Sequence, residues 1–243
     1  MVAIHLNKQI DDIFSGYSKL ETPEERKEHK VEGSLFFEGF EELVRQYEEI
    51  LAIGKKRAYH WSTLVEALSK ISIVLDPEQI NSFLQATIRY EDNKPYGEHT
   101  GLFITQLIHN SHYAGNNKFT LNTKAFSEGI GGIGYNLKGR KNKLLEIIVN
   151  GDAGKECGHH AKNIGKLHIS GNVGHGCGKS ARNIKELYIG SNAEHWCGCA
   201  AKNSTFKTPN KKTLRLLKIY VPKGKGNKIY FINKTGKEKK IKW

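Results

Sequence analysis

Residues 147–166 read IIVNGDAGKECGHHAKNIGK, residues 167–186 LHISGNVGHGCGKSARNIKE and residues 187–206 LYIGSNAEHWCGCAAKNSTF. Set under one another, they are three consecutive copies of a 20-residue unit without a gap. Cys157/Cys177/Cys197, Gly158/Gly178/Gly198, Ala161/Ala181/Ala201 and Asn163/Asn183/Asn203 recur in all three copies, while Gly151/Gly171 and Gly154/Gly174 match in two. A period with no insertion means that each unit folds as the same turn and stacks on its neighbour. Ile147/Leu167/Leu187 and Val149/Ile169/Ile189 alternate with polar positions, which predicts a short strand placing two aliphatics inside per turn. Glycines are expected at the corners, where a positive φ is required. The three asparagines then fall at the strand spacing of about 4.8 Å, near enough for their amides to bond along the stack.

The pattern G-N-x-G-x-x-C-G-x-x-A-K-N resembles the glycine-rich solenoid repeat at the carboxy terminus of glutamate synthase and in the related formylmethanofuran dehydrogenase subunit. The resemblance covers about 60 residues and extends upstream to Gly131 and Gly134. It implies a right-handed parallel β-solenoid used as a spacer and docking surface, with no catalytic residue to carry over. This chain has far fewer turns and places cysteine in the core column.

Three readings of Cys157, Cys177 and Cys197 arise from the residues themselves. As small side chains they fill the interior beside the alanine column, since free cysteine is among the most buried residue types. As metal ligands they would act with Cys199, His159, His175 or His195, but side chains stacked in register do not converge on a tetrahedron. As nucleophiles they lack a base beside an exposed thiol. Packing is the preferred reading, and no metal or other cofactor is expected. Lys162, Arg182 and Lys202 form a further column; it either tracks a phosphate backbone or is a solvated outer face.

Upstream, apolar residues recur at helical spacing. Leu6, Ile10, Ile13, Phe14 and Tyr17 mark one helix, and Thr22-Pro23-Glu24-Glu25 starts a second, polar one. Ser34 caps a third with Phe37, Phe40, Leu43, Val44, Tyr47 and Leu51, closed by Gly54 in the left-handed position. Trp61, Leu64, Val65 and Leu68 mark a fourth, Asp76-Pro77-Glu78-Gln79 opens a fifth with Ile80, Phe83, Leu84 and Ile88 inward, and residues 97–110 make a sixth. Lys55, Lys56 and Arg57, followed by Tyr59 and Trp61, either bind phosphates and bases or form a loop whose rings point into the core. His99, His109 and His112 have a spacing that holds a metal in other settings, with ordinary histidines the preferred reading.

Downstream, Thr208-Pro209 begins a short helix with Leu214, Leu217 and Tyr220 inward, and residues 228–233 and 237–243 read as a hairpin around Lys234-Thr235-Gly236. Residues 1–95 carry 12 Lys and Arg against 17 Asp and Glu, whereas 96–243 carry 26 against 8. A one-sided positive charge points to a polyanion. Lys211, Lys212, Arg215, Lys237, Lys239, Lys240 and Lys242 belong to the most basic segment, which holds 12 basic residues and one acid over 209–243.

The expected fold is α+β, a helical domain over 1–115, a β-solenoid over 116–208 and a basic helix-plus-hairpin cap over 209–243. The expected function is a non-catalytic RNA-binding or ribosome-associated factor in the cytoplasm. A protein partner on the helical domain is also expected, and no membrane contact. Two alternatives stay open, an assembly module that docks another protein and a metal-dependent enzyme built on the His and Cys columns. No P-loop, dinucleotide fingerprint, G-x-S-x-G elbow or H-E-x-x-H occurs.

Overall fold

A computed structural model describes residues 39–54 and 61–242. The expected helices before Phe40, the Ser34 cap, Lys55, Lys56, Arg57, Tyr59 and Trp243 lie outside the described residues. The remainder is α+β, with a seven-stranded sheet in sequence order and five α-helices among the described residues.

The strands are β1 (Lys118–Asn122), β2 (Leu145–Asn150), β3 (Ile164–Ile169), β4 (Glu186–Ile189), β5 (Thr205–Thr208), β6 (Lys228–Ile232) and β7 (Glu238–Lys240). All neighbours pair in parallel except β6 and β7. Ile147 pairs with Leu167 and Leu167 with Leu187, the register that the 20-residue period dictates. Two further columns of parallel bridges run beside the sheet, Ile130–Ala153–Val173–Ala193 and Lys138–Lys162–Arg182–Lys202. Successive copies therefore lie on one another at three places per repeat.

Inside, Cys157, Cys177, Cys197, Ala161, Ala181 and Ala201 are buried together with the strand aliphatics. Two kinds of glycine hold this arrangement. Gly178 has φ +65, and a Cβ there would sit 2.7 Å from Leu187 Cδ1. Gly174 has no positive φ; a Cβ there would lie 2.8 Å from the Lys155 backbone N, so close approach of one copy to the next excludes a side chain. The asparagine ladder forms as expected, with Asn183 Nδ2 donating to Asn163 Oδ1 at 3.0 Å and Asn203 Nδ2 to Asn183 Oδ1 at 3.3 Å. All three asparagines have φ between 50 and 57, a left-handed conformation that asparagine tolerates better than most residues.

A second polar ladder has a less uniform sequence trace. Asn172 donates its Nδ2 and backbone N–H to Asp152, Asn192 does the same to Asn172 Oδ1, and Asn210 Nδ2 reaches Asn192 Oδ1 at 3.3 Å. The carboxylate at its head makes the first bonds charge-assisted.

The helices close the two ends. α1 (Phe40–Gly54), α2 (Trp61–Ser69), α3 (Pro77–Ala86) and α4 (Tyr96–Ala114) precede the sheet, and α5 (Lys211–Tyr220) lies between β5 and β6. The capping box at α3 is present, with Asp76 Oδ1 accepting from Gln79 N at 2.8 Å and Gln79 Oε1 from Asp76 N at 3.0 Å. α4 lies against the first turn: Thr105 Oγ1 accepts from Gly134 N at 2.8 Å, and a Cβ on Gly101 would sit 1.7 Å from the Gly131 carbonyl oxygen. Gly54 stays within its helix rather than turning left-handed, and its small size admits His99, whose Nε2 would be 2.5 Å from a Cβ there. At the other end Asn210 caps α5, and Thr213 Oγ1 accepts from Ala193 N at 2.9 Å and donates to Ser191 O at 2.7 Å. Leu217 is buried, Leu214 half-buried, and the exposed charges of β7 leave a sheet edge that resists further pairing.

Cys177→Ala is expected to cost about 1 kcal/mol, the loss of one buried atom. Gly178→Val should cost about 3 kcal/mol or more, because strain at a positive φ adds to the clash with Leu187; urea unfolding of both variants checks the order. Thr213→Val should cost about 2 kcal/mol by stranding the Ala193 N–H and the Ser191 carbonyl, measured the same way.

Candidate nucleic-acid interface

Each turn returns the chain to the basic column through the same pair of backbone bonds. Lys162 N donates to Leu137 O, Arg182 N to Ala161 O and Lys202 N to Ala181 O, at 2.8–2.9 Å. In return, Gly139 N reaches Lys162 O, Asn163 N reaches Arg182 O, Asn183 N reaches Lys202 O and Asn203 N reaches Lys225 O. Lys162, Arg182 and Lys202 thus stand in register, and the structure adds Lys138 before them and Lys225 after them. Five cations follow one another over about 19 Å at the strand spacing.

Lys138, Arg182, Lys202 and Lys225 are exposed and Lys162 is half-buried. None of the five joins an ion pair among the described residues; the basic partners there are Arg45, Lys70, Lys207 and His159. Charges held as close as the backbones would repel by at most about 1 kcal/mol in water.

Further cations stand beside the end of the column, in the last strand pair. Tyr230 pairs with Lys240, and Ile241 N donates to Ile229 O, so Lys242 comes level with Lys228, three residues after Lys225. Lys239 and Lys240 are exposed on β7, and Lys237 lies in the turn, its N–H held by Asn233 Oδ1. Lys211, Lys212 and Arg215 are exposed on α5 and stand apart from the column, since Asn210 and Thr213 join that helix to the other polar ladder. Lys55, Lys56 and Arg57 are outside the described residues.

The cysteine column lies behind this face. Cys157 is pushed well above the usual thiol range by its contact with Cys177 and by complete burial. Among the described residues, no group of three or more His, Cys, Asp or Glu side chains is placed to hold a metal ion. His112 is bound on both ring nitrogens, to Asn116 O at 2.8 Å and to Arg140 N at 3.2 Å, and so ties the end of α4 to the first turn. His109 packs on Tyr113 with ring centres 4.6 Å apart. Trp61 and Val65 do not enter the core as the sequence suggests: they are 41% and 47% exposed, on the wall of a groove of about 510 Å³ that Lys138, Tyr135 and His109 also border.

Lys138 has a sequence trace in Tyr135-Asn136-Leu137-Lys138-Gly139, a degenerate copy in which leucine replaces the core alanine. Lys225 has none, because α5 interrupts its turn. Against known protein families, curated proteins and solved structures, the chain finds no match. Among the described residues, no helix is long and apolar enough to cross a membrane.

In the native protein a water-soluble thiol reagent is expected to label Cys199, the half-buried cysteine, well before Cys157, Cys177 and Cys197, with all four reacting in denaturant. Rapid native labelling of a second thiol would show that the column opens to solvent.

Proposed function

We propose that the chain is a non-catalytic RNA-binding factor in which a short β-solenoid carries a column of cations along the phosphate backbone. The observation that carries this reading is the row of Lys138, Lys162, Arg182, Lys202 and Lys225, in register and without carboxylate partners among the described residues. The stacked parallel strands support the solenoid, and parallel crossovers of this kind wind right-handed. α1 to α4 form its amino-terminal helical part, and β6–β7 with α5 its basic cap. A ribosome-associated role in the cytoplasm fits the net charge of +13, since ribosomal RNA is the largest polyanion there. Phosphate contacts position a ligand and carry no base sequence, so binding is broad in sequence.

A protein-docking role is a second reading, favoured by exposed Trp61 and Val65 on their groove.

Binding of structured RNA should weaken linearly in log–log form with salt, with a slope of about −4 for five contacts. Lys162→Glu, Arg182→Glu and Lys202→Glu together should make the slope shallower by about three while leaving the thermal melt in place. Replacement of Lys237, Lys239, Lys240 and Lys242 by glutamine tests the hairpin separately. Unchanged affinity in both sets, or no affinity at low salt, would discard the RNA reading in favour of protein docking.

A further inference from the structure

Trp196 stands in a conformation that its residue type disfavours. Its φ is +66, in a column whose other members are Glu156 at +59 and Gly176 at +76. A bulky side chain in the left-handed region is rare, and backbone strain of this kind concentrates at functional sites. The interior gains little from it, because 46% of Trp196 stays exposed.

The ring is nevertheless held from several sides. Tyr220, at the end of α5, lies nearly parallel to it, at 13° with centres 6.1 Å apart. Tyr220 is itself anchored by a 3.0 Å hydrogen bond between its hydroxyl and His195 Nδ1. From the preceding turn, Lys179 Nζ stands 5.6 Å from the indole centre and His175 lies 6.3 Å away. Tyr220 keeps the indole in place, and a flat ligand stacks on it by moving the flexible Lys179 side chain off the ring, so the indole itself loses little freedom on binding.

The surroundings identify that ligand. Two consecutive tight turns, closed by Cys199 N to Trp196 O and Ala201 N to Gly198 O at 3.1 Å each, lead from Trp196 to Lys202. Lys179 and Arg182 sit on the copy before. A flat π surface with the Lys179 ammonium beside it suits a base attached to a phosphate better than an apolar peptide. Bases within a duplex are already stacked on one another, whereas those of single strands and loops are free to stack on a side chain.

We propose that Trp196, oriented by Tyr220 and Lys179, is a stacking site for an unpaired nucleobase, so that the chain prefers single-stranded RNA to duplex. This rests on the RNA-binding reading above. The substitution of choice is Trp196→Gly, because glycine accepts the positive φ and already occupies the equivalent position 176; its thermal melt should equal or exceed that of the parent.

With Trp61→Phe and Trp243→Phe in the background, Trp196 is the sole tryptophan, and its fluorescence should be quenched by a 15-nucleotide oligouridine and not by a perfect RNA hairpin stem. Trp196→Gly should bind the oligouridine about tenfold more weakly and the stem unchanged, while Trp196→Phe retains most of the affinity. Equal oligouridine affinity in Trp196→Gly and parent, with charge reversal of the column still weakening both RNAs, would overturn the stacking site and leave the RNA reading standing. Absence of any RNA binding at low salt would overturn both.

Discussion

Equal length from one copy to the next is the constraint on which this molecule depends. Backbone N–H and C=O groups in the repeat region find partners in the copies before and after them, at the strands and at both bridge columns. Within a strand, a slip of one residue would turn every buried side chain to the opposite face. Because an unpaired buried backbone group is costly, the two ends need different solutions. Thr105 on α4 supplies a hydroxyl to the first turn, and Asn210 and Thr213 supply amide and hydroxyl groups to the last.

The same constraint places the cations. Once the copies are in register, a basic residue recurring in the repeat becomes a column, whatever its mutual repulsion. Each neighbouring pair costs at most about 1 kcal/mol in water, whereas each fully buried aliphatic contributes about 1.5–3 kcal/mol. Ile169 and Ile189, at 0% exposure, belong to copies that each bury several such groups. The core therefore offsets the repulsion with ease. The adjacent asparagine ladder adds fixed hydrogen bonds beside the charges, so the column keeps its spacing without carboxylates.

Trp196 and the cysteine column show how far one position can vary within that frame. The core column takes cysteine three times, where volume is tightly limited, and its thiols are screened from solvent. Glu156, Gly176 and Trp196 share a backbone angle and little else, the first half-buried, the second buried and the third exposed. Outward positions of a repeat are where chemistry can differ from copy to copy at small cost to the fold.

The 20-residue register, the asparagine ladder, the buried alanine and cysteine columns and the capping box at Asp76 were all legible in the amino-acid order, because each follows from local spacing or from the conformational tolerance of one residue type. The column of Lys162, Arg182 and Lys202 was legible for the same reason. Its extension to Lys138 and Lys225 was not: Lys118 pairs with Glu146 and Phe206 with Ile229, so the outer turns depart from the period and only backbone pairing aligns them. Nor could periodicity show that Trp61 and Val65 stay exposed while their helix buries Leu64 and Leu68, or that Trp196 meets Tyr220 across 24 residues. Those positions were decided by how α4 and α5 close the two ends, where contacts between distant residues, rather than the preferences of neighbours, set which side chains remain in water.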